Sequence, residues 1–120
     1  MKPEELLFSN DHLWFKPLNQ NIYQVGVTDY AQDLLGDIVF IETYMDKLIE
    51  KGKAFGIIES VKTASDLVSP VNLKVTQTNL DILDQLTDVN DKPYDSWICE
   101  IMLEEEFKFL SFNDYKNLIG

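Results

Sequence analysis

The chain has 120 residues, 45% of them hydrophobic and 26% charged, the size and balance of one globular domain that buries a core without disulfides or metal. Twenty-one acids against ten bases leave a net charge of −11 and a pI near 4.3. Such a surface repels phosphate backbones and anionic lipid, so it argues against nucleic-acid and membrane partners and suits proteins with basic patches.

The predicted elements are short. Leu13 to Lys16 and Ile22 to Val27 bracket Asn19-Gln20-Asn21 and read as a hairpin. A two-turn helix follows over residues 28–36, with Thr28 or Asp29 as its cap, Ala31, Leu34 and Leu35 on one face, and Gly36 just past its end. Asp37 to Thr43 is an apolar strand. A charged connection, Met45 to Gly52, leads to a strand over Ala54–Glu59, with further strands at Asp66–Ser69, Leu73–Thr78 and Trp97–Leu103. Leu80 to Asp95 is polar and loop-like, with room for a helical turn. Glu104-Glu105-Glu106 reads as a solvated helix start. Ser111 caps a last helix near residues 111–118, with Asp114 at the capping-box position. Many short strands and few small helices predict a mostly β fold, a sandwich or barrel, in a single domain over residues 1–120.

Cys99 is the only cysteine and His12 the only histidine. That excludes an internal disulfide, a zinc cluster and a Cys-His pair. The five glycines, at positions 26, 36, 52, 56 and 120, form neither a dinucleotide fingerprint nor a phosphate loop. No catalytic grouping assembles, so a non-enzyme is expected. No apolar run reaches the ~18 residues of a spanning helix. Met1 to Phe8 lacks the basic start of a secretory signal and the Arg/Ser bias of a transit segment. The expected compartment is therefore the cytoplasm, or an organelle such as the mitochondrion if a leader was removed. Trp14 and Trp97 read as core aromatics and Cys99 as a small packing residue.

One stretch stands apart. In Ile57-Ile58-Glu59-Ser60-Val61-Lys62-Thr63-Ala64-Ser65-Asp66-Leu67-Val68-Ser69-Pro70-Val71, apolar strands flank a small polar centre. A tight reversal there puts Lys62 at its tip with the amine in water. Lysines at hairpin tips are common and usually idle. As an ammonium a lysine is a poor nucleophile, the more so if Glu59 and Asp66 stand close. What such a tip does offer is one lysine to a modifying enzyme. Acylation makes the arm neutral, free to lie against an apolar cleft that would reject an ammonium. The pattern favours a carrier over a catalyst.

The segment Glu59 to Asp66, followed by Ser69-Pro70-Val71, resembles the lipoyl-attachment motif of the glycine cleavage system H protein family. The likeness extends over nearly the whole chain: His12-x-Trp14, Gly26 to Gln32, Leu35 to Phe40, Asn79, Val89-Asn90, Pro93-Tyr94, Trp97 and Tyr115 recur in order. Biotin carriers place methionines where Val61 and Thr63 stand. The resemblance implies a barrel-sandwich hybrid carrying lipoate as an amide on Lys62, with Glu59, Ser60, Val61, Ser65 and Asp66 supporting attachment. It implies a lipoyl ligase or lipoyl transferase as the modifying enzyme. It further implies passage of an aminomethyl group from glycine decarboxylase (P protein) to an aminomethyltransferase (T protein), and reoxidation by dihydrolipoamide dehydrogenase (L protein).

The sequence departs from the family at several points. Leu13 replaces a glutamate expected to hold the amine of the loaded arm, and Asp11 is the nearest substitute carboxylate. Tyr30 takes a position that is often histidine. Asp11, His12 and Tyr30 are accordingly the candidate residues of an arm-binding cleft. Leu73 replaces a turn glycine, and neighbouring Asn72 is the residue able to take the positive φ instead. Two other functions share the motif's logic: a relay delivering lipoate to other proteins, and an unmodified acidic interaction domain.

Overall fold

The computed structural model describes residues 1–120. In chain order the elements are β1 (Leu7–Phe8), β2 (Leu13–Asn19), β3 (Ile22–Val27), α1 (Asp29–Leu35), β4 (Ile38–Thr43), β5 (Leu48–Ile49), β6 (Ala54–Ser60), β7 (Ala64–Val68), β8 (Leu73–Thr78), α2 (Leu80–Leu83), α3 (Thr87–Asp91), β9 (Cys99–Leu103) and α4 (Phe112–Ile119). Single 3-10 turns lie at Pro3–Glu5 and Pro93–Asp95. The strands form two antiparallel sheets, one of six in the order β1-β2-β3-β9-β8-β5 and one of three in the order β4-β6-β7. The fold is mostly β, a sandwich or barrel of two sheets with short helices, as the sequence predicts.

The period of two along the strands builds the interior. In β9, Cys99, Ile101 and Leu103 are buried while Glu100 and Met102 alternate outward. They join Phe15, Val25, Phe55, Ile58 and Leu73 in the main core between the sheets. Trp14, one step out of phase with Leu13 and Phe15, faces the other side of its sheet. There it forms a second cluster with Leu6, Phe8 and Tyr115 of α4. Its indole Nε1 donates to the Pro93 carbonyl at 3.0 Å. Gly26, opposite Trp14 in the ladder, is a glycine because a Cβ there would sit 2.3 Å from the indole ring. β2 runs past Lys16 through Pro17 to Asn19. The Leu13 carbonyl accepts from Ser9 N–H on the β1 side, so Pro17, of the same parity, turns its missing N–H to the edge beyond the end of β1.

Several expectations need correction. Glu104–Glu106 starts no helix: Glu104 and Glu105 form a bend and the chain then takes no regular structure as far as Phe109. The reason is in the next residues. Phe107 and Phe109, two apart, sit edge-on to each other at 4.9 Å, and Phe109 packs on Phe15 and Tyr23. Side chains two apart do not share a face of a helix, so this packing is not helical, and Leu110 then bridges to Phe8. The polar stretch from Leu80 to Asp95 holds two short helices and a 3-10 turn, with Ile82 and Val89 buried beneath them. Asn72 takes no positive φ. The non-glycine residues that do are His12, Asn21 and Asp46, and Asn72 instead accepts from Lys51 N–H through Oδ1 at 2.8 Å.

Candidate functional site

Strands β6 and β7 form a hairpin whose loop is Val61-Lys62, closed by a Ser60 N–H···O=C Thr63 bond of 2.7 Å. Two-residue loops of the favoured mirror-image types need a positive φ, which β-branched Val61 resists, and neither loop residue has one. Ser60 supplies what the backbone lacks. Its Oγ accepts from the N–H groups of Lys62 at 3.2 Å and Thr63 at 3.1 Å, and donates to the Thr63 carbonyl at 3.2 Å. Val61 N–H donates to the Asp37 carbonyl at 3.0 Å, tying the loop to the start of β4. The tip is held from both sides.

Lys62 is exposed at this tip, but its stem does not simply point into water. It lies across Gly36, where a Cβ would approach Lys62 Cε to 3.0 Å and Nζ to 3.6 Å. Gly36 closes α1 at φ 87°, a conformation that disfavours any side chain. The ammonium therefore rests near the C-terminal end of a short helix, the end that favours a cation. Lys62 forms no salt bridge: the structure's one such pair joins the Met1 amine to Asp95. Glu59 lies on the outer face of the small sheet, opposite Phe40 and Ala64. Asp66 is opposite Ile57. The suggestion that these two carboxylates clamp the amine is thus not met.

Beside the tip, between α1, β2 and β7, is a cavity of about 140 Å³. Leu13, Val27, Ala31, Leu34, Leu35, Ile58 and Leu67 make it apolar, with Asp11, His12, Ser65 and Asp66 as its polar groups. Leu34 and Leu35 immediately precede the glycine under Lys62, so slot and lysine share a wall. A larger hollow of about 470 Å³ lies among residues 79–96. It is open, acidic and shares no lining residue with the slot, so it is not part of this site.

The structure brings Asp11 and His12 to the slot and leaves Tyr30 out of it. Tyr30 instead packs against the His12 ring, tilted 45° at 4.9 Å, and faces a groove between α1 and α4. His12 Nδ1 is 2.9 Å from Tyr115 Oη, which also bonds Thr28 Oγ1 at 2.7 Å. Thr28 Oγ1 in turn accepts from Ala31 N–H at 3.1 Å, capping α1. Burial lowers the His12 pKa, opposed in part by Asp11. Burial raises the Tyr115 hydroxyl to about 12, against the Thr28 hydrogen bond. Both groups are therefore uncharged near pH 7. Cys99 is wholly buried, which pushes its thiol up, so it has no reactive role. No group of three or more His, Cys, Asp or Glu is placed to hold a metal ion.

Sequence reasoning missed Asn90. Its Oδ1 accepts from Ile38 N–H at 3.0 Å, and its Nδ2 donates to the Gly36 carbonyl at 2.9 Å and to Gln32 Oε1 at 3.0 Å. The only signal was its place, beside Val89, in the order of matching residues.

A two-sheet fold with a lysine on a braced hairpin tip and an apolar slot beside it has the form of a carrier component. The family model described as "Glycine cleavage H-protein" matches residues 6–119, and the chain belongs to that family of lipoyl carriers. It is 43% identical over 102 residues to the glycine cleavage system H protein of Clostridioides difficile, covering 84% of this chain and 82% of that one. It is 42% identical over 123 residues to that of Staphylococcus haemolyticus, covering 98% and 97%. The crystal structure of a glycine cleavage system H protein from Mycobacterium marinum superposes with a TM-score of 0.86 at 25% identity, over 99% of each chain.

Proposed function

We propose that Lys62 is the lipoyl-attachment residue and that this single domain carries an aminomethyl group between the enzymes of glycine cleavage. The observation that carries the reading is the tip itself: an exposed lysine, free of ion pairs, on a turn braced by Ser60 and Val61. An amide there removes the ammonium charge, and the adjoining slot of seven apolar residues suits a neutral arm. The residues fit the group. When bound, lipoate would supply a disulfide that is reduced as it takes up the aminomethyl group at glycine decarboxylase, and a dithiol, left once the aminomethyltransferase has removed that group, for dihydrolipoamide dehydrogenase to oxidise back to the disulfide.

The chain's own residues present, shelter and orient. Ser60 and Val61 fix the turn so that a lipoyl ligase or lipoyl transferase meets one lysine in one geometry. Glu59, on the outer face two residues before the loop, marks the tip for that enzyme, and Ser65 leads from the tip toward the slot. Leu34, Leu35 and Leu67 exclude water from the slot. Asp11 and Asp66 are the carboxylates available there to an amine on the loaded arm, and His12 is a neutral hydrogen-bonding group whose ring is set by Tyr115 and backed by Tyr30. The −11 surface steers partners with basic docking faces. No helix is long and apolar enough to cross a membrane, and the bacterial relatives support work in the cytoplasm.

The test is exchange of labelled CO2 into glycine by glycine decarboxylase, supplied with the lipoylated chain or its Lys62→Arg variant. Exchange with the first and none with the second is expected. Lipoylation on Lys62 without any exchange would move the function to lipoate relay, a reading Leu13 favours by putting a hydrocarbon side chain in the slot.

A further inference from the structure

The tip rests on a ledge, Gly36-Asp37-Ile38. Gly36 lies under the Lys62 stem, and the Asp37 carbonyl accepts from Val61 N–H at 3.0 Å. Both ends of this ledge are gripped by one side chain from a different element. Asn90, in α3, donates to the Gly36 carbonyl and accepts from Ile38 N–H, and its remaining donor goes to Gln32 of α1. Both its amide hydrogens and one acceptor position of its oxygen are used in this way, and no other side chain bonds either end of the ledge. A free hinge is what the sequence would otherwise make here. Gly36 sits at φ 87°, where the chain turns from helix to strand with no side chain of its own to anchor it.

We infer that Asn90 is a positioning residue for the modification of Lys62, holding the ledge against which the tip and the lysine stem are set. This rests on the carrier reading above. The modifying enzyme must take the lysine in one orientation. If the ledge moves, only a fraction of molecules presents the tip correctly, and apparent affinity falls by that fraction while the chemical step does not change. The signature is a raised KM for the carrier with kcat retained.

The experiment measures lipoate transfer to the full chain by a lipoyl ligase at varied carrier concentration, for wild type, Asn90→Ala and Asn90→Asp. Amide hydrogen exchange is followed in parallel at Val61 and at the core residues Val25 and Ile101. The aspartate keeps the acceptor for Ile38 N–H but sets a carboxylate oxygen against the Gly36 carbonyl, so it carries the test if the alanine variant fails to fold. The expected result is a KM raised about fivefold with kcat retained, and faster exchange at Val61 with the core amides unchanged. Unchanged KM in a folded variant overturns the inference, and so does a loss of activity accompanied by faster exchange throughout the core. Wild-type chain that takes no lipoate overturns the carrier reading itself, and the inference with it.

Discussion

Ser60→Ala tests the physical basis of the site. The substitution removes the acceptor of the Lys62 and Thr63 N–H groups, bonds of 3.2 and 3.1 Å, and the donor to the Thr63 carbonyl. It leaves the Ser60 N–H···O=C Thr63 bond of 2.7 Å and the Val61–Asp37 bond of 3.0 Å in place. Because Lys62 and Thr63 are exposed, water replaces the lost acceptor, and each bond is worth the low end of the ~0.5–1.5 kcal/mol net range. The sum is about 1–2 kcal/mol, comparable to loss of a helix cap. Opening of the tip should then be about 5- to 30-fold more frequent. Amide exchange of Lys62 and Thr63 by NMR reads this directly, with Val25 and Ile101 in the core as controls. Lipoylation should slow in parallel. Unchanged exchange at both tip amides would refute the stapled turn, and a uniform rise at core amides would mean Ser60 supports the fold instead.

Lys62→Ala should abolish modification yet unfold within ~0.5 kcal/mol of wild type in urea, because an exposed side chain buries little; loss of cooperative unfolding would contradict the tip placement. Gly26→Ala forces a methyl to within 2.3 Å of the Trp14 ring, which is buried and pinned to Pro93. A loss of about 3 kcal/mol or more is expected from such overpacking, and a urea midpoint near wild type would show that the ring moves freely. His12 has a folded-state pKa lowered from 6.5 by burial, so the unfolded chain binds its proton more readily. Its contribution to stability is therefore present above about pH 6.5 and lost as pH falls through the lowered value. His12→Gln should flatten that slope, and parallel stability profiles for wild type and variant would contradict a partly buried neutral ring.

What could be read from the sequence was what local chemistry encodes. Thr28 and Ser111 cap α1 and α4 through their side chains as expected, and Asn21 takes the positive φ of the first hairpin. The apolar run before Glu59 and the small polar centre around Lys62 specified the site hairpin. Elements of two residues, β1 and β5, are too short to show a period and exist only through pairing with β2 and β8. The short helices after Asn79 lack side-chain caps: Asn79 turns its Nδ2 to the Trp97 carbonyl at 2.7 Å and makes no cap bond, and Leu86, before α3, has no side-chain acceptor. Nothing local announced them. The triple glutamate misled for the converse reason: a helix-start composition was overruled by Phe107 and Phe109 packing at a spacing of two.

The site shows the same division. The exposed lysine at a polar turn was expected from type and spacing, whereas the expected closeness of Glu59 and Asp66 to its amine is not met. The stem lying over Gly36 and the Asn90 grip on the ledge span 26 and 54 residues of sequence, and no short pattern encodes such contacts. Tyr30 was expected in the cleft with Asp11 and His12, but the turn of α1 directs it to the His12 ring and the α4 groove.

The central claim is that Lys62 carries lipoate. The most direct measurement is intact and peptide mass spectrometry of the chain after co-expression with a lipoyl ligase in the presence of lipoate. One lipoyl group, located on the peptide containing Lys62 and absent from Lys62→Arg, is the predicted result. An unmodified Lys62 in cells that modify a control lipoyl domain would contradict the account.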